Sequence, residues 1–276
     1  MSALENTRLA FIGSGVMAEA MINGLLGRRL IEPEAIIASD PRAERGQELA
    51  ARYRIVPTTD NAEAARQAQV VVLSVKPQVL PQVLPCLRGQ IRPEALVLSI
   101  VAGARIETLA RGLAHQAIVR VMPNTPAQIG QGMSVWFCTR EVAQRQREQA
   151  QTILGALGQE LYVDSEDYLD MATALSGTGP AYVFLFMEAL IDAGVHMGFS
   201  RRVAQELVLQ TLQGSVAFAR QSNLHPAELR NMVTSPGGTS AEALYQLEKG
   251  GLRTVISRAI WAAYQKSRYL GGLSER

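Results

Sequence analysis

The chain is short of the residues on which much enzyme chemistry is built. Its 276 residues include two cysteines, Cys86 and Cys138, and three histidines, His115, His196 and His225. Two cysteines make no disulfide framework and show no metal-ligand spacing, so no metal site is expected. The histidines are scattered, and no Ser-His-Asp order surrounds a nucleophile elbow. Of 27 basic residues only three are lysines, Lys76, Lys249 and Lys266, which shortens any list of catalytic amines. A net charge of +2 is too small to imply nucleic acid or an anionic membrane as partner. Residues 1–8 lack the apolar run of a signal peptide. The most apolar stretch, residues 181–190, is broken by Glu188 and is too short to span a bilayer. The expectation is a cytoplasmic protein that works on a small molecule.

What is present fits two domains. The length exceeds that of a usual single domain, and 47% hydrophobic residues suffice for a full core. Strand-like runs cover residues 8–12, 35–39, 70–75, 95–100, 117–122 and 134–138, with a weaker one at 160–163. Several are continuously apolar, the pattern of parallel strands covered on both faces. Between them lie helix signals. Asp40-Pro41 places a capping residue before a proline at a first helical position, and Asp60 with Glu63 reads as a capping-box-like start. The first half, residues 1–164, is therefore expected to be a doubly wound α/β domain.

From residue 165 to 276 the β pattern disappears. Helices are expected over about 166–175, 180–197, 201–221, 226–233, 240–249 and 252–270, with Pro180 and Pro226 at first helical positions. Gly250-Gly251 and Gly271-Gly272 read as C-terminal stops. The helix from Pro180 is apolar on nearly all sides and must be buried. A helical domain of this size has little interior to hide it, which points to packing against another subunit. Glu188, Asp192 and His196 recur every four residues on one face, as a solvated or interfacial stripe.

Five segments carry the chemistry. Gly13-Ser14-Gly15-Val16-Met17-Ala18 follows the first strand and opens a helix. Gly13 allows a tight turn, Gly15 gives a pyrophosphate room to approach, and Ala18 permits close helix–strand packing. The amides of the turn then face an anion. Ser74-Val75-Lys76-Pro77-Gln78 ends another strand, where a lysine reaches a bound phosphate. Pro123-Asn124-Thr125-Pro126 is a stiff loop whose polar groups fall where a nicotinamide amide would lie. Ser176-Gly177-Thr178-Gly179-Pro180 opens the buried helix; it reads either as a site or as a tight helix junction. Ser235-Pro236-Gly237-Gly238-Thr239-Ser240 leads into a helix whose amides and dipole form a carboxylate pocket without a cationic side chain. Thr239 and Glu242 also match a capping box, and a capping side chain would occupy an amide that a ligand needs. With no evident proton-transfer residue, hydride transfer to an activated acceptor such as a protonated imine fits best.

These segments, in this order from about residue 8 to 270, resemble pyrroline-5-carboxylate reductase. The resemblance implies a Rossmann-type N-terminal domain followed by an all-α C-terminal dimerisation domain. It implies an oxidoreductase that reduces 1-pyrroline-5-carboxylate to L-proline with NAD(P)H, the last step of proline biosynthesis. It further implies a homodimer through the helical domain, assembled into a larger ring. Carried over, Ile12, Gly13, Ser14, Gly15, Val16, Met17 and Ala18 hold the pyrophosphate. Ser39, Asn61 and Lys76 surround the adenosine ribose and its 2′-phosphate, Val75 and Pro77 line the way to the nicotinamide, and Ser74 and Asn124 are further expected cofactor-binding residues. Ser235, Gly237, Gly238, Thr239 and Ser240 bind substrate, from the neighbouring subunit, with Thr239 and Ser240 as catalytic residues. Thr178 and Ser240 stand where the family often has Ser and Thr, which keeps both hydroxyls.

Cofactor choice turns on Asp40. A carboxylate at the end of the second strand would repel a 2′-phosphate. If Asp40 instead caps the next helix, Ser39 faces the ribose and Arg42 is a phosphate partner, which favours NADPH with NADH also accepted. Two other readings remain open: a β-hydroxyacid dehydrogenase-like reductase, which would need a helical-domain lysine, and a non-catalytic NADPH-sensing protein.

Overall fold

The structure, a computed structural model, describes residues 3–273. Eight strands form one sheet: β1 (Leu9–Ile12), β2 (Ile36–Ser39), β3 (Val56–Thr58), β4 (Val70–Leu73), β5 (Leu96–Ser99), β6 (Ile118–Met122), β7 (Gly132–Cys138) and β8 (Gly158–Tyr162). They lie in the order β3-β2-β1-β4-β5-β6-β7-β8. All neighbours are parallel except β6 and β7, which are antiparallel. β1 pairs with both β2 and β4, so the strand order reverses there. Beyond the carboxyl ends of strands at such a reversal is where α/β sheets bind their ligands.

The alternation along the strands explains the two layers. Leu9, Phe11, Ile36, Ala38, Val70 and Val72 face one core, shared with α1 (Val16–Gly27), α2 (Ala43–Tyr53) and α6 (Gln144–Gly155). Ala10, Ile12, Ile37, Val71 and Leu73 face the other, against α3 (Asn61–Gln67), α4 (Leu80–Leu87) and α5 (Ile106–Leu113). Each fully buried side chain of this size contributes about 1.5–3 kcal/mol, so the sheet is held from both faces. This is the doubly wound, Rossmann-type arrangement expected of the first half.

Several local expectations are corrected. β3 goes unforeseen because Pro57 interrupts a three-residue run. It is tolerated because β3 is an edge strand, where a missing amide costs no ladder bond. Asp40-Pro41 does not open a helix: α2 begins at Ala43, after Arg42, with no side-chain cap. Asp60 does cap α3, accepting from the amides of Ala62 and Glu63. Glu63, however, meets the Thr58 hydroxyl rather than closing the box.

The chain divides into two compact units, Met1–Pro180 with Ala263–Arg276, and Ala181–Ala262. The first unit thus extends beyond the expected limit at residue 164. α7 (Tyr168–Ala172) places Leu169 and Ala172 against Val135 of β7, and this packing draws residues 165–180 to the sheet. A π-helical turn, Thr173–Gly177, follows.

The second unit is helical, with most of α8 (Gly179–His196), then α9 (Arg201–Ser222), α10 (Pro226–Met232), α11 (Thr239–Lys249) and the start of α12 (Leu252–Leu273). Pro226 is a first helical residue as expected, capped by the His225 ring. Gly179 precedes Pro180 in α8, and Gly271-Gly272 lies inside α12 rather than ending it. In the single chain, α8 is not covered: of its residues only Gly194 is buried, with Phe184 59% and Leu185 67% exposed. The stretch Tyr168–His196 is also long and apolar enough to cross a membrane by length and composition. The shorter apolar run seen in the sequence understates it, because Glu188 does not interrupt the helix.

Candidate active site

The turn after β1 is built around Gly13. Its φ of +92° is a left-handed value, and a Cβ there would sit 2.8 Å from Val75 Cγ1 and 3.0 Å from the Ser74 carbonyl oxygen. No other residue fits without moving the end of β4. Gly15 differs: its φ of −72° suits any residue, and a Cβ on it would meet nothing within 4 Å. The space beside Gly15 is open, as a close-approaching pyrophosphate requires. Gly15 precedes α1 without capping it by a side chain. The amides of Gly15, Val16, Met17 and Ala18 have no acceptor among the described residues. Such amides, at the positive end of a helix dipole, form an anion site. Ile12 and Ala18 are buried beneath the turn, so they shape the site through packing.

Ser14 is held at every polar atom. Its amide donates to Asp40 Oδ2 at 3.3 Å, its hydroxyl to the Ser39 carbonyl, and its carbonyl accepts from Arg45 Nε at 2.9 Å. Asp40 Oδ1 accepts from both the amide and Nε of Arg42. Burial would raise the Asp40 pKa. The hydrogen bonds from the Arg42 side chain and from the Arg42 and Ser14 amides outweigh that and hold it below the ordinary carboxylate value. Asp40 is thus turned toward the glycine turn rather than capping a helix.

Ser39 and Asn61 meet. Ser39 is 0% exposed and donates its hydroxyl to Asn61 Oδ1 at 2.7 Å. The sequence reading makes Ser39 the ribose-facing residue. Here Ser39 fixes Asn61, which is only half-buried and has its amide nitrogen left to donate. Ser74 donates its hydroxyl to the carbonyls of Ile12 and Gly13, which ties β4 to the turn. Lys76 and Pro77 are exposed just beyond.

Asn124 is a brace. Its Nδ2 donates to the Ser176 carbonyl at 3.1 Å, and its Oδ1 accepts from the Met133 amide at 2.9 Å. It thereby joins the end of β6 to β7 and to the π turn. The hydroxyls of Thr173 and Ser176 donate to the carbonyls of Leu169 and Ala172 in α7, and that of Thr178 to the Thr173 carbonyl of the turn. A Cβ on Gly177 would collide with Met122 Cε. The junction reading of this segment accounts for each of these contacts.

Ser235, Gly237, Gly238, Thr239 and Ser240 lie in the second unit, at the start of α11. The N-cap is Gly238, with no side-chain cap. Gly237 is left-handed, at φ +70°, and Ser235 Oγ packs tightly on Gly238. Glu242 pairs with Gln246, so the expected Thr239–Glu242 capping box is not formed. That resolves the conflict noted above. The amides of Gly237, Thr239 and Ser240 have no acceptor among the described residues and remain available to a carboxylate.

Two features escaped the sequence reading. Arg120, in the middle of β6, is buried and contacts Glu166 Oε1 at 2.7 Å and Asp170 Oδ1 at 3.8 Å. The Ser267 hydroxyl of α12 donates to the same Asp170 oxygen at 2.8 Å. An arginine inside an otherwise apolar strand was the available signal. The second is Arg45, whose contact with the glycine turn is set by the α1–α2 packing and has no sequence signature. Among the described residues no cluster of side chains could hold a metal ion. Lys249 and Lys266 lie over the rings of Tyr245 and Tyr269, and neither begins a glycine-rich helix.

Comparison with known proteins bears on both units. Residues 166–270 match the family described as pyrroline-5-carboxylate reductase dimerisation. Residues 8–103 match the family described as NADP oxidoreductase coenzyme F420-dependent. The pyrroline-5-carboxylate reductase of Synechocystis is 42% identical over 265 residues, covering 96% of this chain and 98% of its own. That of Pseudomonas aeruginosa is 42% identical over 268 residues, covering 97% and 98%. The crystal structure of a Plasmodium falciparum pyrroline carboxylate reductase with NADP bound superposes with a TM-score of 0.89 at 34% identity, covering 97% of this chain and 99% of that one.

Proposed function

The chain belongs to the pyrroline-5-carboxylate reductase family, and from that membership we propose that it reduces 1-pyrroline-5-carboxylate to L-proline with NADPH, the last step of proline biosynthesis. One observation carries the substrate end of this reading: α11 begins on an uncapped glycine, with the amides of Gly237, Thr239 and Ser240 open. A helix start of that kind binds a carboxylate without a cationic partner, and the substrate has one. Amides lost to a capping box would have spoken against it.

The residues present fit the cofactor. Open amides at Gly15–Ala18 suit the pyrophosphate, and the unfilled space beside Gly15 admits it. The Asp40 carboxylate, which would otherwise repel a 2′-phosphate, is already bonded to Ser14 and Arg42. Asn61, Arg42 and Lys76 are left on the ribose side, so NADPH is preferred and NADH accepted. When bound, the nicotinamide supplies the hydride. Ser235, Gly237, Gly238, Thr239 and Ser240 hold the substrate. The hydroxyls of Thr239 and Ser240 orient the ring nitrogen, which already carries its proton in the iminium form, so no strong acid or base is required.

The helical half of the chain supplies the substrate and dimerisation role and the sheet-bearing half the dinucleotide role, the compact unit around the sheet taking in Met1–Pro180 and Ala263–Arg276. The exposed apolar face of α8 is covered by a second copy of the chain, in a homodimer that builds into a larger ring. A membrane is the other cover such a helix could take. The dimerisation-family match over 166–270 favours the second copy and a cytoplasmic location. The decisive experiment follows nicotinamide absorbance as purified protein meets 1-pyrroline-5-carboxylate, with NADPH and NADH in parallel. Oxidation with proline formed is expected, faster with NADPH at equal concentration. Protein that binds NADPH yet oxidises none would overturn the assignment.

A further inference from the structure

The peptide groups of the glycine turn are fixed in alternation. In the peptide between Gly13 and Ser14, the N–H donates to Asp40 Oδ2 and the C=O accepts from the Ser74 hydroxyl at 2.7 Å. In the next peptide, the Ser14 C=O accepts from Arg45 Nε at 2.9 Å, while the Gly15 N–H has no acceptor among the described residues. A trans peptide is planar, with N–H and C=O pointing in opposite directions. Whatever holds the Ser14 carbonyl therefore aims the Gly15 amide.

Arg45 is well placed to hold it. Its Nη2 pairs with Glu19 Oε2 of α1 and its Nη1 with Glu48 Oε2 at 2.9 Å, so all three nitrogens of the guanidinium are engaged. Its side chain is 15% exposed. Glu19 is anchored in turn by Arg52 and the Tyr53 hydroxyl. With one N–H of each nitrogen committed and its side chain 15% exposed, Arg45 acts on the turn through its Nε.

We propose that Arg45, opposed by Asp40, is a positioning residue of the phosphate-binding turn: it fixes the Ser14 carbonyl so that the Gly15 amide is presented outward before any ligand arrives. This rests on the reading of the turn as the NADPH site. The saving lies in preorganisation, since a turn already set does not have to be ordered on binding. Arg52 provides the contrast. It contacts Glu19 and Glu48 as Arg45 does, but it does not touch the turn.

The test is a fluorescence titration of the full-length protein with NADPH, beside steady-state kinetics, for the parent, Arg45→Met, Arg45→Lys and Arg52→Met. Arg45→Lys keeps a charge near Glu19 but has no N–H in the position of Nε. Loss of one charge-assisted hydrogen bond is expected to raise the NADPH Kd about tenfold in both Arg45 variants. Arg52→Met should stay within about twofold of the parent, well inside the tenfold unit. The KM for the imine and kcat at saturating NADPH should move much less than the Kd. Equal Kd values for the parent and both Arg45 variants would overturn the inference while leaving the cofactor site intact. Equal losses in Arg45→Met and Arg52→Met would overturn it in favour of general loosening between α1 and α2. A folded parent that does not bind NADPH would overturn the cofactor reading and this inference with it.

Discussion

Arg120 and Glu166 meet with Nη1 and Oε1 2.7 Å apart, the arginine side chain 4% exposed, in a strand whose other residues are apolar. Glu166 Oε1 also accepts from the Ile106 amide, and Asp170 joins from one turn further on. A buried pair of this kind adds little over an apolar replacement of both partners, but breaking one side leaves charge stranded. Arg120→Met is therefore expected to cost about 3–5 kcal/mol. Urea unfolding followed by circular dichroism would show this as a large fall in midpoint, and an unchanged midpoint would mean that the pair is inert.

The Ser39–Asn61 contact leads to a prediction about cofactor choice. Asn61→Ala removes the acceptor of a buried hydroxyl and a side-chain amide donor on the side proposed for the ribose. The NADPH kcat/KM is expected to fall about tenfold or more, the value of one hydrogen bond to a charged group, with a smaller fall for NADH. Equal losses with both cofactors would show that Asn61 does not read the 2′-phosphate.

At the start of α11, Ser240→Ala should lower kcat/KM for the imine by roughly 10- to 150-fold, as expected for a hydrogen bond to a charged group. The NADPH Kd should be almost unchanged. Equal turnover by mutant and parent would remove Ser240 from the site.

Leu185, 67% exposed in the single chain, tests the covering of α8. Leu185→Lys places a charge where a second copy is proposed to pack, and burying an unpaired charge is costly. Light scattering on the full chain should give a dimer or larger for the parent and a smaller species for the variant. An identical mass for both would place the interface elsewhere.

His115 makes stability sensitive to acid. Burial pushes its pKa down, and the contact of its Nε2 with the Ala95 carbonyl only partly offsets this. The folded value lies below the unfolded one, so the contribution of His115 is complete above the ordinary histidine range, near 6.5, and is lost as pH falls through the folded value. Thermal melts from pH 7.5 to 5 should therefore show a decline that His115→Gln flattens. A slope that persists unchanged in the variant would assign the decline to other groups.

Most of the sheet was legible because β1, β2, β4 and β5 are near-continuous apolar runs, and every predicted strand is present to within a few residues at its ends, while β3 was missed. Gly13, Gly15 and the α1 start were legible because the turn obeys backbone sterics that single residues report. Side-chain direction was not. Nothing in the order Ser39-Asp40-Pro41-Arg42 says that the carboxylate turns toward residue 14, because that choice depends on where α2 packs. The same holds for Thr239 and Glu242, whose spacing satisfies a capping rule that the backbone at Gly238 does not use. The full length of the apolar stretch was missed for a third reason: a single glutamate in a long helix turns to solvent and ends nothing.

Ser267 closes on Asp170 across 97 positions of sequence, and residues 263–276 belong to the first compact unit rather than the second. That has a bearing on synthesis at the ribosome. A nascent chain can assemble most of the sheet early, yet Asp170 waits beside Arg120 for a hydroxyl that is almost the last thing translated. Domains that form sequentially from the N-terminus are the usual case. Here the first unit gains the Ser267–Asp170 contact only after the intervening helical segment Ala181–Ala262 has been synthesised.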